Sequence, residues 1–125
     1  MSMADRDSIL IIDDEVNLRR TLGLILQREG YRVTMAANVQ EARQCLQADS
    51  FSLVFLDLKM PDANGLTLLP ELREQYPHLP VLVLTAHDKL DAALEAIQGG
   101  AREYLLKPID PTVIIQRVKE VLKNC

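Results

Sequence analysis

A chain of 125 residues, 48% of them hydrophobic, is long enough for one domain with its own core, and at 4% aromatics that core is aliphatic. A net charge of −4 argues against general affinity for nucleic acid or an anionic membrane and favours proteins or small molecules as partners. Cys45 and Cys125 are too few for a disulfide framework or zinc site. No signal peptide precedes the first apolar run, and no run approaches the ~20 residues of a membrane helix, so a reducing cytosol is the expected setting.

In chain order, Met1-Ser2-Met3 reads as residues left by an expression vector, within an extension over 1–7 ahead of one domain over 8–123, with no second domain in this chain. The first strand is expected over Ile9–Asp13, then a helix carrying Leu18, Leu22, Ile25 and Leu26 at helical spacing and ending before Gly30. A second strand over Arg32–Ala36 leads to a helix with Val39, Ala42 and Leu46. The third strand, Leu53–Asp57, is followed by a helical pattern that Pro70 interrupts, which predicts a kink or a late start. Pro77 and Pro80 bracket the turn before a fourth strand over Val81–Thr85. Leu90, Leu94 and Ile97 then mark a helix ending at Gly99-Gly100. A fifth strand over Glu103–Leu106 and a helix from Pro111 to about Lys123, burying Val113, Ile114, Val118, Val121 and Leu122 in part, close the pattern.

Strands alternating with helices throughout predict a three-layer, doubly wound (βα)5 domain of the α/β class. A parallel five-stranded sheet in the order 2-1-3-4-5 would put the first and third strands side by side at the switch point, where such sheets bind ligands. Asp13 and Asp14 follow the apolar run Ile9-Leu10-Ile11-Ile12, and Asp57 follows Leu53-Val54-Phe55-Leu56, so three carboxylates would meet at one sheet edge. Crowded anions repel, and a hard, oxygen-seeking cation such as Mg²⁺ is the usual remedy. Singly, an acid at a strand end is more often a helix cap.

Thr85 ends the fourth strand and Lys107-Pro108 follows the fifth, which completes an ordered set of Asp-Asp, Asp, Thr and Lys-Pro. With Met60-Pro61 and Gly65 after the central acid, the chain resembles, from Ile9 to about Leu122, the receiver domain of two-component response regulators, the CheY-like superfamily. The stretch Leu84-Thr85-Ala86-His87, continuing through Leu90-Asp91-Ala92-Ala93, is similar to receivers of the nitrogen-regulatory NtrC type, which precede an ATPase and a DNA-binding domain.

The resemblance implies that Asp57 is the phosphoacceptor and that Asp14, Asp57 and the Lys59 backbone carbonyl hold Mg²⁺, or Mn²⁺ in its place, with Asp13 acting through a water. It implies Lys107 as a second cation, aimed by Pro108 through a cis bond, and a turn set by Pro61 and Gly65. Thr85 and Tyr104 are its switch pair. The implied partners are a sensor histidine kinase or phosphotransfer protein, and an effector or output domain reached through the fourth helix, fifth strand and fifth helix. That surface forms a homodimer in many relatives. No direct nucleic-acid binding and no membrane contact by this domain are implied, and the protein is expected to be a cytoplasmic switch, not a turnover enzyme.

Lys59 and His87 stand where the family varies, and neither orients an attacking water well, so a long-lived acyl phosphate is expected. An isoleucine, Ile109, follows Pro108 where many members have an aromatic. Glu15 is expected only to complete an acidic first turn, Cys45 to pack, and His78 to be solvated.

A haloacid-dehalogenase-like phosphatase, which also combines an Asp nucleophile with Mg²⁺, needs Asp-x-Asp after the first strand. Two residues beyond Asp13 and Asp14 stand Glu15 and Val16. A flavodoxin-like cofactor binder would need a hydroxyl- and glycine-rich phosphate loop where Asp13-Asp14-Glu15 stands. A degenerate receiver serving only as a protein-binding module has no need of the intact acids, Thr85 and Lys107.

Overall fold

The computed structural model of the protein describes residues 7–86 and 90–123. Its strands are β1 (Ser8–Ile12), β2 (Arg32–Ala36), β3 (Leu53–Leu56), β4 (Val81–Thr85) and β5 (Glu103–Leu106). They pair in parallel in the order β2-β1-β3-β4-β5, the expected topology. β1 and β3 each end one residue earlier than expected, so Asp13 and Asp57 leave the sheet at its carboxyl edge. The backbone ladder continues through them, with the Asp13 amide donating to the Ala36 carbonyl at 3.0 Å and the Asp57 amide to that of Ile12 at 2.9 Å.

Side chains alternate strictly across the central strands, because successive residues of a strand point to opposite faces. Leu10, Ile12, Val54, Leu56, Val81 and Val83 face one way, against α2 (Val39–Ala48), α3 (Leu68–Gln75) and α4 (Leu90–Gln98). Ile9, Ile11, Leu53, Phe55, Leu82 and Leu84 face the other, against α1 (Val16–Arg28) and α5 (Pro111–Lys123). Each such buried Leu, Ile or Phe contributes about 1.5–3 kcal/mol, so the sheet carries most of the core and makes a stiff platform for its loops.

Helix boundaries follow local chemistry. Asn38 caps α2 by accepting from the Glu41 amide at 2.8 Å, while the Glu41 carboxylate reaches back past the cap to accept from the Ala37 amide at 2.8 Å. Pro70 does not kink its helix. A 3₁₀ turn over Gly65–Thr67 comes first and α3 starts late, so Pro70 falls in a first turn where no intrahelical acceptor awaits its missing N–H. Gly30 (φ 94°) and Gly100 (φ 111°) adopt the left-handed conformation after α1 and α4, as glycine does there most cheaply.

Two apolar helix stripes pack differently. In α4 the inward residues, among those whose burial is described, are Ala92 and Ala96, while Leu94 and Ile97 are each 49% exposed and face outward. In α5 Ile114, Val118 and Val121 are buried, Leu122 is half-buried, but Val113 is exposed. Among the described residues no helix is long and apolar enough to cross a membrane. Met1-Ser2-Met3, His87 and Cys125 lie outside the described residues.

Candidate functional site

The switch point between β1 and β3 brings Asp13, Asp14 and Asp57 together, and a carboxylate oxygen from each lies within 4.8 Å of the others. Asp13 and Asp57 are buried, at 2% and 4% exposure, while Asp14 faces solvent. Burial pushes the Asp13 carboxyl above its ordinary range, and the charge of Asp57 adds to that. Hydrogen bonds from the Glu15 amide and Lys107, and the charge of Lys107, oppose the shift.

Lys107 enters from the other side. Its amide donates to the Thr85 carbonyl at 2.9 Å, so the lysine follows β5 in register with the end of β4, and the Lys107–Pro108 bond is cis as expected. The ammonium Nζ lies 2.9 Å from Asp13 Oδ2, 2.6 Å from Glu15 Oε1 and 3.3 Å from Asp57 Oδ2. Burial alone would lower its pKa, but hydrogen bonds to Glu15 and Asp13 and the charges of Asp13 and Asp57 outweigh it and hold the lysine firmly protonated. The other Asp57 oxygen, Oδ1, accepts from the Lys59 amide at 3.3 Å.

Three clustered carboxylates therefore share one largely buried ammonium with Glu15, leaving a net negative charge that a divalent cation would reduce. All-oxygen donors with one solvent-facing member suit Mg²⁺, which keeps several of its waters. The residues present fit such an ion.

Thr85 is fully buried at the end of β4, and Tyr104, opposite Val83 in the ladder, is half-buried against the α2–α4 side of the core. Pro61 sits in the turn after β3. Gly65 closes that turn, its amide donating to the Leu58 carbonyl at 2.7 Å, and a Cβ there would meet the Asp57 carbonyl oxygen at 2.5 Å. The Lys59 side chain is exposed, and so is His78, as expected.

Three contacts escaped the sequence. Glu15 precedes α1 without capping it through its side chain and instead pairs with Lys107, 92 positions away. Arg19 on α1 donates to the Asp13 carbonyl at 2.6 Å, which fixes the backbone between the two adjacent acids. Asp62 accepts from the first amides of α2. Acid and base at these positions carry no periodic signal; only the closed fold makes them neighbours.

Comparison with known proteins gives one direction. The alginate biosynthesis transcriptional regulatory protein AlgB of Pseudomonas putida is 44% identical over 103 residues, 82% of this chain but only 23% of that protein, so this chain spans about a quarter of its relative's length. A response regulator receiver domain protein (CheY-like) from Methanospirillum hungatei superposes with a TM-score of 0.93 at 29% identity, over 96% of both chains. The beryllofluoride-activated NtrC4 receiver domain dimer gives 0.89 at 32% identity, over 94% of this chain and 97% of that one. The response regulator receiver domain profile matches residues 9–119, and with the acids, threonine and lysine gathered at the sheet's carboxyl edge it makes this chain a member of the response regulator receiver family.

Proposed function

We propose that Asp57 is the phosphoacceptor of this signalling domain, which spans residues 8–123. The observation that carries the reading is the setting of its carboxylate, buried, with Oδ1 held by the Lys59 amide and Oδ2 turned toward Lys107 inside the acidic cluster. An Asp57 oxygen attacks the phosphorus of a phosphohistidine on a sensor histidine kinase or phosphotransfer protein. The P–N bond breaks, its electron pair leaves with the imidazole, and an acyl phosphate remains on Asp57. A small acyl phosphate can serve in place of the protein donor.

Asp14, Asp57 and the Lys59 carbonyl would hold Mg²⁺, or Mn²⁺, with Asp13 reached through a water. When bound, the cation supplies charge neutralisation on the phosphoryl oxygens during transfer. Lys107 already lies on the Asp57 oxygen that faces it, so its ammonium is placed to meet the incoming phosphoryl group.

Thr85 donates its hydroxyl to a phosphoryl oxygen and moves inward, and Tyr104 turns into the space it leaves. That couples the acid site to the face of α4, β5 and α5, where Leu94, Ile97 and Leu106 are exposed. Through this face the domain controls an output domain or partner, acting as a cytoplasmic transcriptional switch of the NtrC type, and forms its homodimer; the solved NtrC4 receiver is itself a dimer. Lys59 and His87 offer neither a carboxylate nor an amide to orient an attacking water, so the acyl phosphate persists longer than with Asn or Glu there. The protein is modified once and slowly recovers, unlike a turnover phosphatase, whose Asp-x-Asp is broken here by Glu15 and Val16.

Incubation with Mg²⁺ and acetyl phosphate, followed by intact mass, tests the assignment. The expected result is a single labile phosphate increment, absent from Asp57→Asn and absent without metal. An increment that survives Asp57→Asn would move the acceptor elsewhere.

A further inference from the structure

A closed ring of contacts runs along one side of the acid cluster. The Asp57 amide donates to the Ile12 carbonyl and the Asp13 amide to that of Ala36, where β2 turns into α2. The first amides of α2 then donate across to the loop after β3, Val39 N–H to Asp62 Oδ1 at 3.1 Å and Gln40 N–H to Asp62 Oδ2 at 3.1 Å. That loop returns to Asp57 through Lys59, which pairs with Asn64 in an isolated antiparallel bridge. Asp62 thus sits at the tip of a short hairpin whose base carries the Lys59 carbonyl.

We infer that Asp62 is a positioning residue for the metal site, clamping the loop after β3 to the start of α2 so that the Lys59 carbonyl is held in place. The inference rests on the reading of that carbonyl as a ligand of Mg²⁺. Both Asp62 oxygens are committed to amides 22 or more positions away in sequence, although α2 already has its own cap in Asn38. The two amides, with the Val39 bond the stronger influence, hold the Asp62 carboxyl below its ordinary range, as expected of an anion at a helix start. Met60 and Ala63 pack against the core beneath the loop, so removing the clamp loosens the loop without unfolding it.

Calorimetric titration of the full chain with magnesium chloride tests the clamp. Asp62→Ala should weaken Mg²⁺ binding about tenfold, as loss of groups that orient metal ligands commonly does. Asp62→Asn should lose less, because its amide oxygen still accepts one N–H. Asn38→Ala removes the helix's own cap and loosens α2 comparably, yet should leave Mg²⁺ affinity unchanged. Unaltered affinity in Asp62→Ala, or equal weakening in Asn38→Ala, would overturn the inference while leaving the metal reading intact. A wild type that binds no Mg²⁺, or whose binding survives Asp14→Ala, overturns both.

Discussion

A Cβ at position 65 would press on backbone, not on a side chain that could swing away. It would lie 2.5 Å from the Asp57 carbonyl oxygen and 2.9 Å from the Leu58 Cα, so Gly65→Ala must push the main chain of Asp57 itself. Forced overpacking of this kind costs about 1–3 kcal/mol. The expected outcome is a melting temperature lower by several degrees together with slower phosphorylation by acetyl phosphate; normal phosphorylation at a normal melting temperature would show that the loop yields freely. The sequence reading placed Gly65 at a turn but could not see what it touches. Asp13, Asp14, Asp57, Thr85 and Lys107 were legible because each follows or ends a strand, and parallel strands gather their carboxyl ends at one edge. Glu15 was read as one more acid of a first turn. Its 2.6 Å contact with Lys107 depends on a residue 92 positions away, and no local pattern encodes that.

Among the helices, α4 departs most from its apolar spacing. Periodicity marked Leu90, Leu94 and Ile97 as one stripe, of which Leu94 and Ile97 are exposed, whereas among the residues whose burial is described the side packed on the sheet is made of Ala92 and Ala96, small enough to let the helix lie close. Periodicity finds an apolar face but cannot say whether the large or the small residues are the buried ones when a helix has both. Leu94→Ser and Ile97→Ser should therefore shift stability within about 0.5 kcal/mol, as surface changes do. Ala96→Leu, at a fully buried site, should cost about 1–3 kcal/mol. Urea unfolding of the three variants separates the faces, and a large loss in Leu94→Ser would mean that the stripe packs inward after all. Among the residues whose burial is described, the sheet-facing side of α4 is alanine, which buries little area, while Leu94 and Ile97 stand exposed.

At the scale of the whole molecule, a rigid sheet holds an arrangement of charge that opposes its own stability. Asp13 and Asp57 are buried beside each other and near Asp14, and Lys107 is the one ammonium among the described residues that reaches them. Such a cluster persists because the aliphatic core on both faces of the sheet outweighs it, and a cation that binds only the folded chain should recover part of the cost. At a Mg²⁺ concentration one hundred times the dissociation constant the gain is about 2.7 kcal/mol, which in a domain of this size raises the melting temperature by several degrees or more. Asp14→Ala removes the solvent-facing acid of the cluster without touching the core, so, if the cluster holds the ion, its melting temperature should respond to Mg²⁺ far less than that of the wild type. Thermal melts of both proteins across a magnesium series, with ionic strength held constant by NaCl, separate specific binding from screening. Parallel rises in wild type and variant would assign the effect to magnesium bound elsewhere on the folded chain and leave the acid cluster without a metal role, whereas a rise confined to wild type would link the stability of the whole sheet to the ion at its edge.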